Sequence, residues 1–185
     1  AELVGKRFAE DEFAVVTGDA DVGRAFSSTR FDHLFFTGST AVGRRVARAA
    51  AENLVPVTLE LGGKSPALFD TSADWDLVVP RLAVGKLFNA GQTCIAPDYA
   101  IVPTARRDDF VTSLSDAMAR LYPTLAANPD YTAIVSERHY RRLAGLVRDA
   151  RAKGATVVEV NPAGEKLDPA RRKLVPTILV GVTDD

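Results

Sequence analysis

Cys94 is the only cysteine among 185 residues, and it lies in FNAGQTCIAPDY, residues 88–99. Sulfur that merely fills apolar space sits naturally among Val, Leu and Ala. Here turn formers and polar groups precede it, and Ala-Pro-Asp follows. Two readings stand: a small core residue beside a loop, or a nucleophile presented to solvent. A thiol attacks as its thiolate, which a helix N-terminus, neighbouring N–H donors or an adjacent base can favour. A cysteine–histidine hydrolase would need an imidazole partner. His33 opens an apolar segment and His139 lies in the arginine-rich RHYRR, so neither context suggests a catalytic base.

Glu60 is the second candidate. VTLELGGKSP sets it between Leu59 and Leu61, at the end of a strand-like run closed by two glycines. In parallel α/β sheets, sites gather at the C-terminal ends of strands. Apolar surroundings would raise the affinity of this carboxylate for a proton and suit it to general-base work. The alternative is an edge glutamate whose head reaches water. Lys64, just beyond, reads as a solvent-facing turn lysine.

The third stretch is HLFFTGSTAVGRRV. Gly38 closes a strand, a helix starts at once, and Gly43 follows five residues later. A helix N-terminus offers unpaired N–H groups and the positive end of the dipole, so a phosphate can sit there. Gly38 would allow a tight turn and close backbone approach. Ser39 could cap the helix or donate to a phosphate oxygen. The G-x-x-x-x-G spacing differs from the Rossmann G-x-G-x-x-G, and on spacing alone a plain strand-to-helix turn is the better explanation.

The elements around these stretches alternate. EFAVVTG, FDHLFFTG and VTLELGG read as strands, separated by helices in ADVGRAFSST and STAVGRRVARAAAENL, the latter with Val42, Val46, Ala49 and Ala50 on one face. Strands spaced by helices predict a parallel sheet. SPALFD continues as a strand. Ser72 could cap a helix with Trp75, Val78, Val79, Leu82 and Leu87 inward, although Pro80 argues for a kink or a later start. YAIVP reads as a strand, and Thr104 to Leu121 as a helix using Phe110, Leu114, Met118 and Leu121. A further helix begins near Ser136, turns Leu143, Leu146, Val147 and Ala150 inward and stops at Gly154. ATVVEV and KLVPTILVG are late strands. Residues 1–9 read as the last turns of a helix and GVTDD follows a strand directly, so the chain is expected to be a piece of a longer polypeptide.

With 46% hydrophobic and 25% charged residues, the chain has the make-up of a folded globular protein with one good core or two small ones. A formal charge of −1 gives no electrostatic case for nucleic acid. One cysteine makes neither an internal disulfide nor a cysteine-based metal site, and fits a reducing compartment. No apolar run approaches a membrane span and no secretory leader opens the chain, so a cytoplasmic protein is expected.

Taken in order, FTGSTAVG, LELGGKSP and FNAGQTC, with 34 positions from Glu60 to Cys94, resemble the aldehyde dehydrogenase family. GQTCIAPDY and RRKLVPTILVGV are similar to its class 3 branch, which includes fatty, aromatic and coniferyl aldehyde enzymes. The resemblance implies an α/β fold: residues 1–61 as the C-terminal part of a Rossmann-like, parallel-sheet NAD(P)-binding domain, and residues 62–185 as the N-terminal part of the catalytic domain. It implies oxidation of an aldehyde to the acid with NAD or NADP. Cys94 would form the thiohemiacetal and thioester, its own N–H helping to hold the oxyanion. Glu60 would activate the hydrolytic water. Gly38, Ser39, Thr40, Ala41, Val42 and Gly43 would line the dinucleotide phosphates, and the Leu61 carbonyl would meet the nicotinamide amide. A small-molecule aldehyde is the implied partner, in a homodimer, with no metal.

The family's oxyanion asparagine, its adenosine-ribose lysine segment and its E-x-F-G-P element have no counterpart among these 185 residues. A second reading, a binding or scaffold domain that keeps the fold without turnover, therefore stands beside the enzyme.

Overall fold

The computed structural model describes residues 1–182. The chain divides into two compact units, Ala1–Gly62 and Gly63–Asp185.

In the first unit, the short helix α1 (Glu2–Gly5) precedes α2 (Ala20–Ser27), β1 (Leu34–Thr37), α3 (Thr40–Ala51) and β2 (Val57–Glu60). Asp19 starts α2 by accepting the Asp21 N–H at 2.9 Å, which satisfies one of the donors that every helix start leaves orphaned. β1 and β2 pair in parallel, Leu34 opposite Val57 and Thr37 opposite Glu60. Val46 and Ala50, one turn apart on α3, bury themselves with Leu34 and Val55, and Phe31, Phe36 and Val57 pack around them. Val42 stays exposed where an inward position was expected, because the stripe that meets the sheet runs through Gly43, Val46 and Ala50.

The EFAVVTG segment is not a strand. Residues 13–19 carry no ladder, and Phe13, Val15 and Val16 are exposed. β-propensity reports how a side chain fits a half-buried pleated surface, and among the described strands none pairs with this segment.

The second unit holds β3 (Ser65–Leu68), α4 (Trp75–Leu87), β4 (Pro97–Ile101), α5 (Arg107–Leu121), α6 (Glu137–Ala152), β5 (Thr156–Glu159) and β6 (Thr177–Val180). β3 and β4 are parallel, with a register shift at Ser65/Pro66, and β5 and β6 are antiparallel. Its core lies between two helices. Trp75, Val79, Ala83 and Leu87 recur every fourth residue of α4 and face Phe110, Leu114, Ala117 and Met118 of α5. The Trp75 ring meets Phe110 edge-on at 5.3 Å, an arrangement the aromatic quadrupoles favour.

The start of α4 corrects the expectation for Ser72. The cap is Asp74, which accepts the Asp76 N–H at 3.1 Å. Ser72 turns back and donates its N–H and hydroxyl to Asp70 at 2.9 and 2.8 Å. Those bonds, the backbone one foremost, hold the Asp70 carboxyl below its ordinary pKa. The later start leaves Pro80 in the second turn with its ring exposed, where it removes one helix bond without invading the core.

Two further inward positions are also exposed, Leu121 and Leu146. α6 is capped by Ser136 and ends before Gly154, whose φ of +93° favours glycine. Among the described residues no helix is long and apolar enough to cross a membrane.

Candidate active site

In the first unit the two strands end side by side. Thr37 lies opposite Glu60, and the Gly38 N–H donates to the Glu60 carbonyl at 3.0 Å. Gly38 is needed for space: a Cβ there would come within 2.5 Å of the Phe36 ring. Ser39 takes the capping role, its Oγ accepting the Val42 N–H at 3.3 Å, while its carbonyl accepts the Gly43 N–H at 2.8 Å. The first-turn N–H groups of Thr40 and Ala41 then have no intrahelical acceptor. Gly43 is buried beneath Leu61, whose Cδ2 would lie 2.8 Å from a Cβ at that position.

The structure thus gathers Glu60, Leu61 and residues 38–43 at one end of one sheet. Glu60 is exposed, so the apolar enclosure expected for its carboxylate is not supplied within its own unit. It is the last residue of the β1–β2 ladder, and no further ladder position covers it.

Cys94 belongs to the second unit, on the segment between α4 and β4, and its side chain is exposed rather than buried as core. A short 3₁₀ stretch, Phe88–Gly91, leads to it, with Asn89, Ala90 and Gly91 all left-handed at φ 51°, 54° and 76°. Asn and Gly accept that region readily, but Ala does so only at a cost of about 1–2 kcal/mol, so surrounding bonds must hold Ala90 there. The chain then turns about Cys94 and Ile95, closed by the Ala96 N–H donating to the Thr93 carbonyl at 3.2 Å. Among the described residues the Cys94 N–H has no acceptor. Gly63 packs so closely against the Cys94 carbonyl that a Cβ would collide with its oxygen.

Charges flank this turn. Lys64 faces solvent, its side chain 79% exposed, and pairs there with Asp98 at 2.8 Å, joining the starts of β3 and β4. Burial pushes the Lys86 ammonium below its ordinary pKa; Asp98 opposes that shift and Lys64 adds to it. The histidines stand apart in role: His33 shares a 2.9 Å hydrogen bond with the Thr58 hydroxyl, and His139 sits in the capped first turn of α6. A groove of about 660 Å³, lined by Leu82, Lys86, Tyr99, Phe110 and Ile178 among others, does not include Cys94.

Gln92 joins the site as a residue that its local sequence does not mark. Its side chain bonds to Asn89, Ala133 and Val135, two of them more than forty positions away. The motif Asn-Ala-Gly-Gln signals a turn, but nothing in it announces those distant partners.

These features place the chain among known proteins. It is 51% identical over 186 residues to the coniferyl aldehyde dehydrogenase of Pseudomonas sp. strain HR199, covering all of this chain and 39% of that enzyme. It is similar to the solved substrate-bound state of Staphylococcus aureus AldH, with 39% identity, a TM-score of 0.86 and coverage of 100% of this chain and 39% of the other. It also superposes on a Mycobacterium tuberculosis aldehyde dehydrogenase complexed with NAD+ (32% identity, TM-score 0.77, 90% of this chain and 35% of that one). An NADP-dependent glyceraldehyde-3-phosphate dehydrogenase from Bacillus halodurans complexed with NADP gives 31% identity, a TM-score of 0.78, and 92% and 35% coverage. The chain therefore spans about two fifths of the length of such relatives. The profile of the aldehyde dehydrogenase family matches residues 2–185, and the chain belongs to that family.

Proposed function

We propose that the chain contributes the nucleophile and the water-activating carboxylate of an enzyme that oxidises an aldehyde to its acid with NAD or NADP. Residues 1–61 are the end of its dinucleotide-binding domain and residues 62–185 the beginning of its catalytic domain, a reading supported by the separation into compact units after Gly62. The observation that carries the proposal is the exposed, unique thiol of Cys94 on a turn whose own N–H has no acceptor among the described residues.

The phosphate side of the dinucleotide fits residues 38–43. Thr40 and Ala41 offer N–H groups at the positive end of α3, a twelve-residue helix, and Ser39 is spent on the cap and so orders that end. Leu61 follows β2 directly and would offer its carbonyl to the nicotinamide amide.

Cys94 attacks the aldehyde carbon as a thiolate, forming the C–S bond and moving the carbonyl pair onto oxygen. The Cys94 N–H donates to that oxyanion. When bound, the dinucleotide supplies the acceptor for the hydride that must leave carbon before a thioester can form on Cys94. Glu60 takes a proton from water, the hydroxide adds to the thioester, and the acid departs as the thiolate is restored. Aromatic aldehydes of the coniferyl type are the preferred substrates, on the strength of the similarity to the Pseudomonas enzyme.

Two variants of the polypeptide that carries this chain test the reading. Cys94→Ala abolishes oxidation of coniferyl aldehyde while leaving dinucleotide affinity within a few-fold. Glu60→Gln slows steady-state turnover by about 10²–10⁴ and leaves a burst of reduced cofactor, because hydrolysis alone loses its base. Turnover at the original rate in Cys94→Ala would overturn the nucleophile assignment.

A further inference from the structure

We infer that Gln92 is the positioning residue of Cys94, fastening its turn to the segment 133–135 through a hydrogen-bond pattern that only an amide supplies. The inference rests on Cys94 being the nucleophile and adds the residue that holds it.

The geometry is specific. Gln92 Oε1 accepts the Val135 N–H at 2.9 Å. Its Nε2 donates to the Ala133 carbonyl at 3.1 Å and to the Asn89 carbonyl at 3.0 Å. Both amide hydrogens and one acceptor site are thus committed, and the Asn89 side chain returns a bond to the Gln92 carbonyl at 3.2 Å. The ring between Asn89 and Gln92 closes over Ala90 and Gly91 and keeps Ala90 in its left-handed conformation. Cys94 follows two residues after the fastening point.

The segment on the far side is itself anchored. Arg172 donates from Nε to the Ile134 carbonyl at 3.0 Å and accepts the Ile134 N–H on its own carbonyl at 2.9 Å. The Tyr131 hydroxyl donates to the Leu174 carbonyl at 2.5 Å, and Lys173 Nζ donates to the carbonyls of Leu125, Ala126 and Asn128. Tyr131 and Ile134 are buried. Ala133 and Val135 are therefore fixed points, and Gln92 ties the cysteine turn to them. Hydrogen bonds position a reacting atom in this way at little cost during the reaction, since the order is in place beforehand.

Chemistry at position 92 separates positioning from packing. Glutamate keeps the volume and the acceptor but turns a carboxylate oxygen toward the carbonyls of Ala133 and Asn89. Methionine keeps the approximate volume and makes none of the three bonds. In the polypeptide that carries this chain, Gln92→Glu and Gln92→Met are each expected to lower kcat for aldehyde oxidation at least tenfold with the KM for dinucleotide within twofold. Amide hydrogen exchange should quicken at least tenfold in peptides covering 89–96 and 131–135 together, and stay unchanged in α6. A variant that filled space only would leave Gln92→Met near the original kcat and exchange, and that result overturns the inference. So would loosening of one segment without the other. If Cys94→Ala is inactive while both Gln92 variants turn over normally, the nucleophile reading stands and this one falls. If Cys94→Ala remains active while the two segments still loosen together, the nucleophile reading fails and the tie between them survives as structure alone.

Discussion

The turn at residues 38–43 and the turn at residues 89–96 both present backbone N–H groups, yet they are held in different ways. The side-chain bond that orders the first is local: a strand ends and Ser39 caps α3 through Val42, while one backbone bond, from the Gly38 N–H, reaches the adjacent strand at Glu60. The second is built from a distance. Gln92 is tied to Ala133 and Val135, and Gly63 presses on the Cys94 carbonyl. The glycines packed at these turns, Gly43 within the first and Gly63 against the second, sharpen the contrast. A Cβ on Gly63 would meet a backbone oxygen, whereas a Cβ on Gly43 would meet the tip of the Leu61 side chain. A turn braced by backbone has nowhere to move, and a turn braced by a side chain can relax.

Gly63→Ala is therefore expected to have the largest effect. The Cys94 carbonyl cannot rotate away without disturbing the closure between Thr93 and Ala96. Overpacking of this kind costs about 1–3 kcal/mol, read from the midpoint of chemical denaturation. Activity should fall by more than that loss of folded protein explains, because the displaced atoms belong to the cysteine itself. A midpoint and a kcat both unchanged would show that the β3 approach is soft.

The same contrast explains what the sequence made legible. Strands at FDHLFFTG and VTLELGG, the helix between them and its Ser39 cap rest on signals within a few residues, and all of them form. EFAVVTG carried equal β-propensity and stayed unpaired, because a strand exists only with a neighbour and propensity does not name one. The residue type of Ser72 suits a cap, yet Asp74 takes that role while Ser72 commits its N–H and hydroxyl to Asp70. At the candidate site, Cys94 and Glu60 stood out by residue type and setting. The exposure of Glu60 did not, since apolar neighbours in sequence on a strand point away from it. Local reading does not single out Gln92, because two of its three side-chain partners lie more than forty positions away.

Ser39→Ala is expected to have an intermediate effect. It removes the acceptor for the Val42 N–H, which costs about 0.5–2 kcal/mol in comparable caps. The loss should appear as earlier melting of the first unit, with faster amide exchange in the first turn of α3 and none in the 89–96 segment. Equal loosening of both segments would contradict the local character assigned to this turn.

Gly43→Ala is expected to be the smallest in stability and the most informative. Alanine inside a helix is favoured over glycine by roughly 0.5–1 kcal/mol, and Gly43 is the fourth residue of α3. Against that gain stands the 2.8 Å approach to Leu61 Cδ2, which a rotation of a half-buried leucine can relieve at about 0.5–1.5 kcal/mol. The two terms nearly cancel, so the stability read from the denaturation midpoint should change by less than about 0.5 kcal/mol in either direction. Dinucleotide binding should nonetheless weaken, since the residue that shifts is Leu61, whose main chain follows β2 and whose carbonyl is proposed to meet the nicotinamide amide. Calorimetric titration of the polypeptide that carries this chain with NAD and with NADP reads that effect directly. Unchanged stability with weakened binding would mark the Gly43–Leu61 contact as one kept for the ligand. Unchanged binding would detach Leu61 from the cofactor and leave the contact as ordinary packing between α3 and the end of β2.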